Sequence, residues 1–235
     1  MPLPACAMGI MVKVPRSGQV KTRLVPPLTH EEASRLSACF LRDVAAAVAR
    51  AAEARKGLLH GLAVYLPEGE EQRLHGLIPP GFGLLLQRGR DLGERLFHAT
   101  EDLLAQRFHS VCLVNGDSPT IPSALLQEAA LALQAEGDRL VLGPATDGGY
   151  YLIGLKRAHR RLFEDIAWST PAVLGQTLDR ARELSLEVQL LPEWYDVDDH
   201  QSLRLLCGEL FGPGAGVEGA ESRALLETLR ARLGA

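Results

Sequence analysis

The sequence predicts an α/β protein, a single layered sheet with helices packed on both faces. Three observations lead to that fold. Short apolar runs rich in branched side chains alternate with longer segments of helical period. Composition is globular, with 46% hydrophobic and 23% charged residues, which excludes a disordered or fibrous chain. The length of 235 residues suits one domain, since open α/β folds reach this size as a single unit.

Taken in order, residues 8–14 (MGIMVKV) read as a first buried strand. The loop 15–29 holds Pro15, Ser17, Gly18 and the Pro26-Pro27 pair. Thr29 or His30 then opens a long helix. In it Leu36, Phe40, Val44 and Val48 recur at a spacing of four, and Glu31 and Glu32 occupy the first turn, where acids suit the helix dipole. Strands are expected at 62–66 and 83–87, a helix at 92–106 and a strand at 110–115. A loop with Pro119 and Pro122 leads to a helix at 123–136 and strands at 139–143 and 150–155. A helix at 171–185 places Pro171 near its first position, followed by a strand at 188–192 and a helix at 199–210. Beyond residue 145 strands and helices stop alternating one for one, so part of the sheet is expected to be mixed. Residues 1–211 form the expected domain. Residues 212–235 form a flexible spacer and a C-terminal helix that either covers the sheet or joins a partner subunit in a homo-oligomer.

Charge and composition narrow the function. The net charge of −4, from 25 basic and 29 acidic residues, offers no basic face for nucleic acid. The balance is uneven: residues 1–60 carry nine Lys/Arg against four Asp/Glu, so the first quarter is +5 and the remainder −9. Lysine is scarce, with Lys13, Lys21, Lys56 and Lys156 against 21 arginines, and two of the four fall close together in the first loop. No apolar run has the 18 residues of a membrane helix, and MPLPACAMGIMV lacks the plan of a secretory leader. Cys6, Cys39, Cys112 and Cys207 are widely spread with no metal-ligand spacing, so a cytoplasmic, reduced protein is expected.

In layered α/β folds the chemistry sits on loops leaving the carboxyl ends of strands. That singles out 15–27, 115–121, 144–150 and 192–199. In the first, Lys13, Arg16, Lys21 and Arg23 surround Gly18, Ser17 and Thr22, a set suited to a polyphosphate, or else an ordinary solvated basic loop. It matches neither the Walker A nor the GxGxxG pattern. In the second, Asp117 can hold a hard cation such as Mg²⁺ beside phosphates, or serve with Ser118 as a turn and cap residue. In the third, Asp147 can bond hydroxyls, Gly148 and Gly149 permit close approach of a ligand, and Tyr150 or Tyr151 can stack on a ring. The plain alternative is a D-G hairpin turn. Trp168, Ser169 and Thr170 form either a helix start or an aromatic wall of the same pocket. In the fourth, Asp199 reads as a helix cap, leaving Asp196 and Asp198 to complete a divided cation site with Asp117, or to form a solvated acidic turn. No Ser-His-Asp set or GxSxG elbow is present, so covalent nucleophilic chemistry is unsupported.

Together VKVPRSGQVKTRL, NGDSPTIP, GPATDGGYYLIGL, WST and DVDD resemble the bacterial family of glycosyltransferase A-like proteins. That family is a domain of unknown function, some of whose members are named arsenosugar-biosynthesis glycosyltransferases. The resemblance covers about residues 8–206. The N-terminal part, with Lys13 and the later K-T-R-L, is also similar to 2-phospho-L-lactate guanylyltransferase, of the same nucleotide-diphospho-sugar transferase superfamily. The resemblance implies a Rossmann-like sheet of the glycosyltransferase-A (GT-A) type. It implies phosphate contacts from Lys21 and Arg23, with Lys13 and Gly18 shaping the loop. It further implies Mg²⁺ (or Mn²⁺) on Asp117 and on Asp198, or else Asp196, and an acceptor or sugar facing Asp147 through Tyr151. The G-D-S-P around Asp117 departs from the D-x-D of many glycosyltransferases.

The leading expectation is glycosyl transfer from a nucleotide sugar to a small acceptor, with Lys21, Arg23, Asp117 and Asp147 at the chemistry. The alternative is nucleotidyl transfer from an NTP to a small phosphorylated acid, for which Arg88, Arg90 and Arg95 are available cations. A second alternative is a non-catalytic nucleotide-binding module.

Overall fold

A strand that is apolar on both sides belongs at the centre of a sheet. In the computed structural model, which describes residues 5–55, 57–213, 216 and 218–233, β1 (Cys6–Lys13) has that place. Its Cys6, Met8, Ile10 and Val12 join one core, while Ala7 and Met11 join the other. A Cβ at Gly9 would lie 2.8 Å from a Val64 methyl, so the neighbouring strand's side chain fills the space above it.

Seven strands form one sheet in the order β3-β2-β1-β4-β6-β5-β7. The others are β2 (Leu59–Leu66), β3 (Gly83–Leu86), β4 (Ser110–Asn115), β5 (Arg139–Pro144), β6 (Tyr150–Leu155) and β7 (Glu187–Leu190). Every pairing is parallel except those of β6, which runs antiparallel to both β4 and β5. The mixed character expected beyond residue 145 is therefore one inserted strand. β5 reaches the rest of the sheet only through it.

Helices cover both faces. On the first, α1 (His30–Ala54) and α4 (Ser123–Ala132) bury Leu41, Val44, Val48, Leu126 and Ala129 against the sheet. On the second, α3 (Leu92–Ala105), the short turn Arg160–Phe163 and α5 (Val173–Glu183) pack over Val64, Leu113 and Ile153. The α1 start follows its sequence: Thr29 Oγ1 accepts from the Glu32 amide at 3.2 Å, and the Glu32 carboxylate accepts from the Thr29 amide at 2.8 Å. A third cluster lies beyond α1. There Leu36 and Phe40 meet Leu203 and Leu206 of α6 (His200–Phe211) and Leu225 and Leu226 of α7 (Ala220–Leu233).

Three local differences from expectation have physical causes. The short helix α2 (Glu71–His75) is too brief to show a period. The helix expected from Pro171 starts at Val173. Thr170 Oγ1 donates to the Ala167 carbonyl at 2.7 Å and accepts from the Ala172 amide at 3.3 Å, which prolongs the turn. Of the expected spacer, residues 214, 215 and 217 lie outside the described residues, and α7 docks on α1. Asp43 of α1, only 3% exposed, accepts from the Glu221 and Ser222 amides at 2.9 Å each and from Ser222 Oγ at 2.6 Å. It caps α7 from a neighbouring helix. The four cysteines are buried and free, and among the described residues no helix is long and apolar enough to cross a membrane.

Candidate functional site

Parallel strands β1, β4, β5 and β7 end on one edge, and the antiparallel β6 begins there, so all four singled-out loops share that edge. The chain leaving β7 is stitched across it. Leu191 donates to the Leu142 carbonyl at 2.8 Å, Trp194 to Pro144 at 3.0 Å and Val197 to Asp117 at 2.9 Å. The last bond brings Asp198 beside Asp117 although 80 residues intervene.

The basic loop supplies the counter-charge. Lys21 has φ 49°, in the left-handed region, at the entry of the turn Thr22–Leu24. Its side chain is 6% exposed, and its Nζ lies 2.8 Å from Asp117 Oδ1 and 2.8 Å from Asp198 Oδ1. Burial alone would lower its pKa, but the two carboxylates more than offset that and hold it above the usual lysine value. Arg23 reaches the other Asp198 oxygen at 2.6 Å while remaining 70% exposed. Lys13 donates to the Gln19 carbonyl at 3.1 Å and braces the loop. Gly18 turns the loop at φ 73° with open space around it. Arg16 pairs with Glu70.

Three cavities meet here, each bordered by both Arg23 and Asp198. One of about 270 Å³ runs between Lys13, Lys21, Thr22 and Asp117, with Gln19 and Ser37 on its walls. A second, about 450 Å³, holds Asp147, Gly149, Tyr150, Trp168, Ser169 and Thr170, together with Asn115. The third, about 570 Å³, opens between Asp147, Asp196, Tyr195 and Arg204. Gln19, Ser37, Asn115 and Arg204 were not singled out from the sequence, because nothing in their local context separates them from ordinary loop or helix residues.

The aromatic wall is built by close packing. Tyr150 meets Trp168 edge to face at 6.4 Å. Asp147 Oδ1 accepts from the Gly149 amide at 2.8 Å, the bond of a tight D-G turn, and Gly148 has φ 88°. A Cβ at Gly148 would lie 2.6 Å from Pro171 Cα, so the glycine permits backbone to approach backbone rather than a ligand. Gly148→Ala is expected to cost roughly 2 kcal/mol from the positive φ and the forced shift of residues 169–171. Chemical denaturation will measure it, and a midpoint equal to wild type would refute it.

Asp196 is half-buried, and its carboxyl is pushed up to about 6, first by burial and then by Asp198, Asp147 and Asp117. The folded state therefore binds this proton more tightly than the unfolded chain, whose aspartate pKa is about 3.9. Its contribution to stability is present below about pH 4 and lost as pH rises through about 6. In metal-free buffer Asp196→Asn is expected to raise the melting temperature at pH 7.5 and to leave it unchanged at pH 4. A loss at pH 7.5 would contradict this.

Among the described residues no group of three or more His, Cys, Asp or Glu has metal-binding geometry. The donor set nevertheless fits Mg²⁺. Two carboxylate oxygens converge on one point at the edge of an open cleft, and Mg²⁺ is commonly held by one or two carboxylates plus substrate phosphates and water. Arg88 and Arg90 pair with carboxylates of α3, Arg88 bonding Asp102 at 2.7 Å and Arg90 bonding Glu94 at 2.7 Å. Arg95 donates to the Gly89 and Arg90 carbonyls, at 3.3 and 3.4 Å.

Comparison with known proteins agrees with the architecture. The chain is 29% identical over 229 residues to the 2-phospho-L-lactate guanylyltransferase of Methanothermobacter thermautotrophicus, covering 94% of this chain and 90% of that protein. A crystal structure from Desulfovibrio desulfuricans G20, of a protein provisionally described as a nucleotide-diphospho-sugar transferase, is 30% identical. It matches with a TM-score of 0.84 over 97% of this chain and 96% of that one. A cytidylyltransferase from Leptospira borgpetersenii shares the fold alone, at 10% identity and a TM-score of 0.55 over 98% of this chain and 97% of that one. These likenesses place the chain among nucleotide-using enzymes of the broad GT-A superfamily. Since the model of the family described as uncharacterized protein conserved in bacteria (DUF2064) matches residues 47–170, more than half of its length, the chain belongs to that family.

Proposed function

We propose that the protein is a nucleotidyltransferase that joins an NTP to a small phosphorylated acid and releases pyrophosphate. The observation that carries this over sugar transfer is the 29% identity to a guanylyltransferase across 94% of the chain. GTP is accordingly the first donor to try. The glycosyl transfer expected from the sequence becomes the second reading.

In this reading Lys21, Arg23 and Thr22 bind the triphosphate in the narrow cavity, braced by Lys13. Asp117 and Asp198, with Asp196 beside them, hold Mg²⁺, which when bound offsets charge on the reacting phosphates. An oxygen of the acceptor's phosphate forms a bond to the α-phosphorus as the bond to the β-phosphate oxygen breaks, and pyrophosphate leaves with that electron pair. The acceptor phosphate is already anionic near neutral pH, so no side chain has to remove a proton. Asp147 is then a turn and wall residue rather than a base. The acceptor's charge falls to Arg23 and Arg204, which border the same 570 Å³ cavity. Tyr150 and Trp168 exclude water beside it.

Sugar transfer retains one supporting observation, the 30% identity to the Desulfovibrio protein. One assay separates the readings. The protein is incubated with Mg²⁺, each of the four NTPs and three-carbon phosphorylated acids, and separately with nucleotide sugars. Pyrophosphate release supports the proposal. Nucleoside diphosphate release from a nucleotide sugar, without pyrophosphate from any NTP, overturns it. Nucleotide binding with neither product indicates a non-catalytic module.

A further inference from the structure

Lys21 sits where a divalent cation would have to sit. The Oδ1 atoms of Asp117 and Asp198 are the oxygens that converge in the cleft, and both lie 2.8 Å from its ammonium. The position is built: a left-handed backbone at φ 49° turns the side chain inward, and the ammonium lies 5.6 Å from the centre of the Phe40 ring. With the side chain 6% exposed, its charge has little water to turn to. One pair of oxygens cannot serve an ammonium and a divalent ion together, since two cations at contact distance in a partly buried site repel strongly. Lysine is also suited to leaving, because it is a point charge on a flexible four-carbon stem with rotatable donors.

We propose that Lys21 is a tethered counter-cation that keeps the Asp117–Asp198 pair closed to divalent metal until nucleotide phosphates draw its ammonium away. Metal and nucleotide then bind with positive coupling, each raising the affinity of the other by the same factor. Neither is retained well alone. The inference rests on the reading of the cleft as a metal–nucleotide site, but not on which group is transferred.

The sign of one measurement separates this from a lysine that only attracts phosphate. Mn²⁺ is titrated into the nucleotide-free protein and free Mn²⁺ is followed by electron paramagnetic resonance. Lys21→Met keeps the apolar stem beside Phe40 and removes the charge. It is expected to bind Mn²⁺ at least tenfold more tightly than wild type, and adding Asp117→Asn is expected to abolish the gain. Lys21→Arg, which keeps a cation, is expected to stay near wild type. Asp117 and Asp198 are 41% and 36% exposed, so water can solvate them once the ammonium is gone, and Lys21→Gln provides a second neutral variant if the methionine protein does not fold. Mn²⁺ affinity that is unchanged or weaker in the neutral variants overturns the proposal, as does a gain that survives Asp117→Asn. The proposed reaction fails separately: pyrophosphate release by wild type without a Mn²⁺ gain sinks only the tether, and a Mn²⁺ gain without pyrophosphate release sinks only the reaction.

Discussion

Asp198→Asn is expected to lower the rate of the proposed transfer by roughly 10²–10³-fold, the loss typical of removing one preorganised charge partner from a reacting centre. Asp198 joins both cations of the basic loop. It receives Lys21 at 2.8 Å and Arg23 at 2.6 Å and borders all three cavities. Its backbone is held independently, because its amide donates to Ser202 Oγ at 3.0 Å within the Asp199 cap of α6. The substitution should therefore remove charge without moving the loop, and Lys21 keeps Asp117 as a partner. Initial rates of pyrophosphate release at saturating NTP, paired with melting curves, test this. Full activity in the variant would remove Asp198 from the chemistry, and a collapse in melting temperature would show that its role is to hold the fold.

The largest stability effect is expected far from the cleft, at Asp43. Its carboxylate takes three hydrogen bonds from the start of α7, and its partner Ser222 is fully buried. Asp43→Ala leaves two amides and a hydroxyl without an acceptor in a place water reaches poorly. Summing a lost helix cap and a lost charge-assisted bond gives about 3 kcal/mol. For a domain of this size that corresponds to a fall in melting temperature of roughly 6–12 °C. Asp43→Asn retains one acceptor oxygen and should fall between. A change below about 2 °C in the alanine variant would mean that α7 is held mainly by Leu225 and Leu226.

Much of this architecture was legible in the sequence because its signals are local. The Leu36, Phe40, Val44 and Val48 period, the Thr29 start of α1 and the Asp199 cap of α6 depend on neighbours within a turn or two. The grouping of Lys21, Arg23, Asp117 and Asp198 followed from a topological rule about strand ends rather than from any contact. What stayed hidden were pairings across long stretches of chain. Arg16 reads as a phosphate ligand, and nothing local announces its pairing with Glu70, 54 residues later. The Asp43 cap depends on a serine 179 residues away, and local sequence has no means of announcing it. Gly148 and Gly149 looked like a ligand cradle, yet Gly148 is needed for the approach of Pro171. The α3 partners of Arg88 and Arg90, Asp102 and Glu94, could likewise not be read from charge alone.

The insertion of β6 between β4 and β5 has a consequence for biosynthesis. β5 and β7 can join the sheet only after β6 has been made, and the acidic loop that completes the Lys21 clamp follows β7. Translation proceeds at about 5–20 residues per second. Lys21 thus leaves the ribosome well ahead of Asp198, its partner 177 residues later. Lys21 has neither carboxylate partner until Asp117 is made, and only one of the two from there until Asp198 follows. If the cleft binds nucleotide as proposed, the complete site exists only in the finished chain, and a ligand can stabilise only the last stage of its folding.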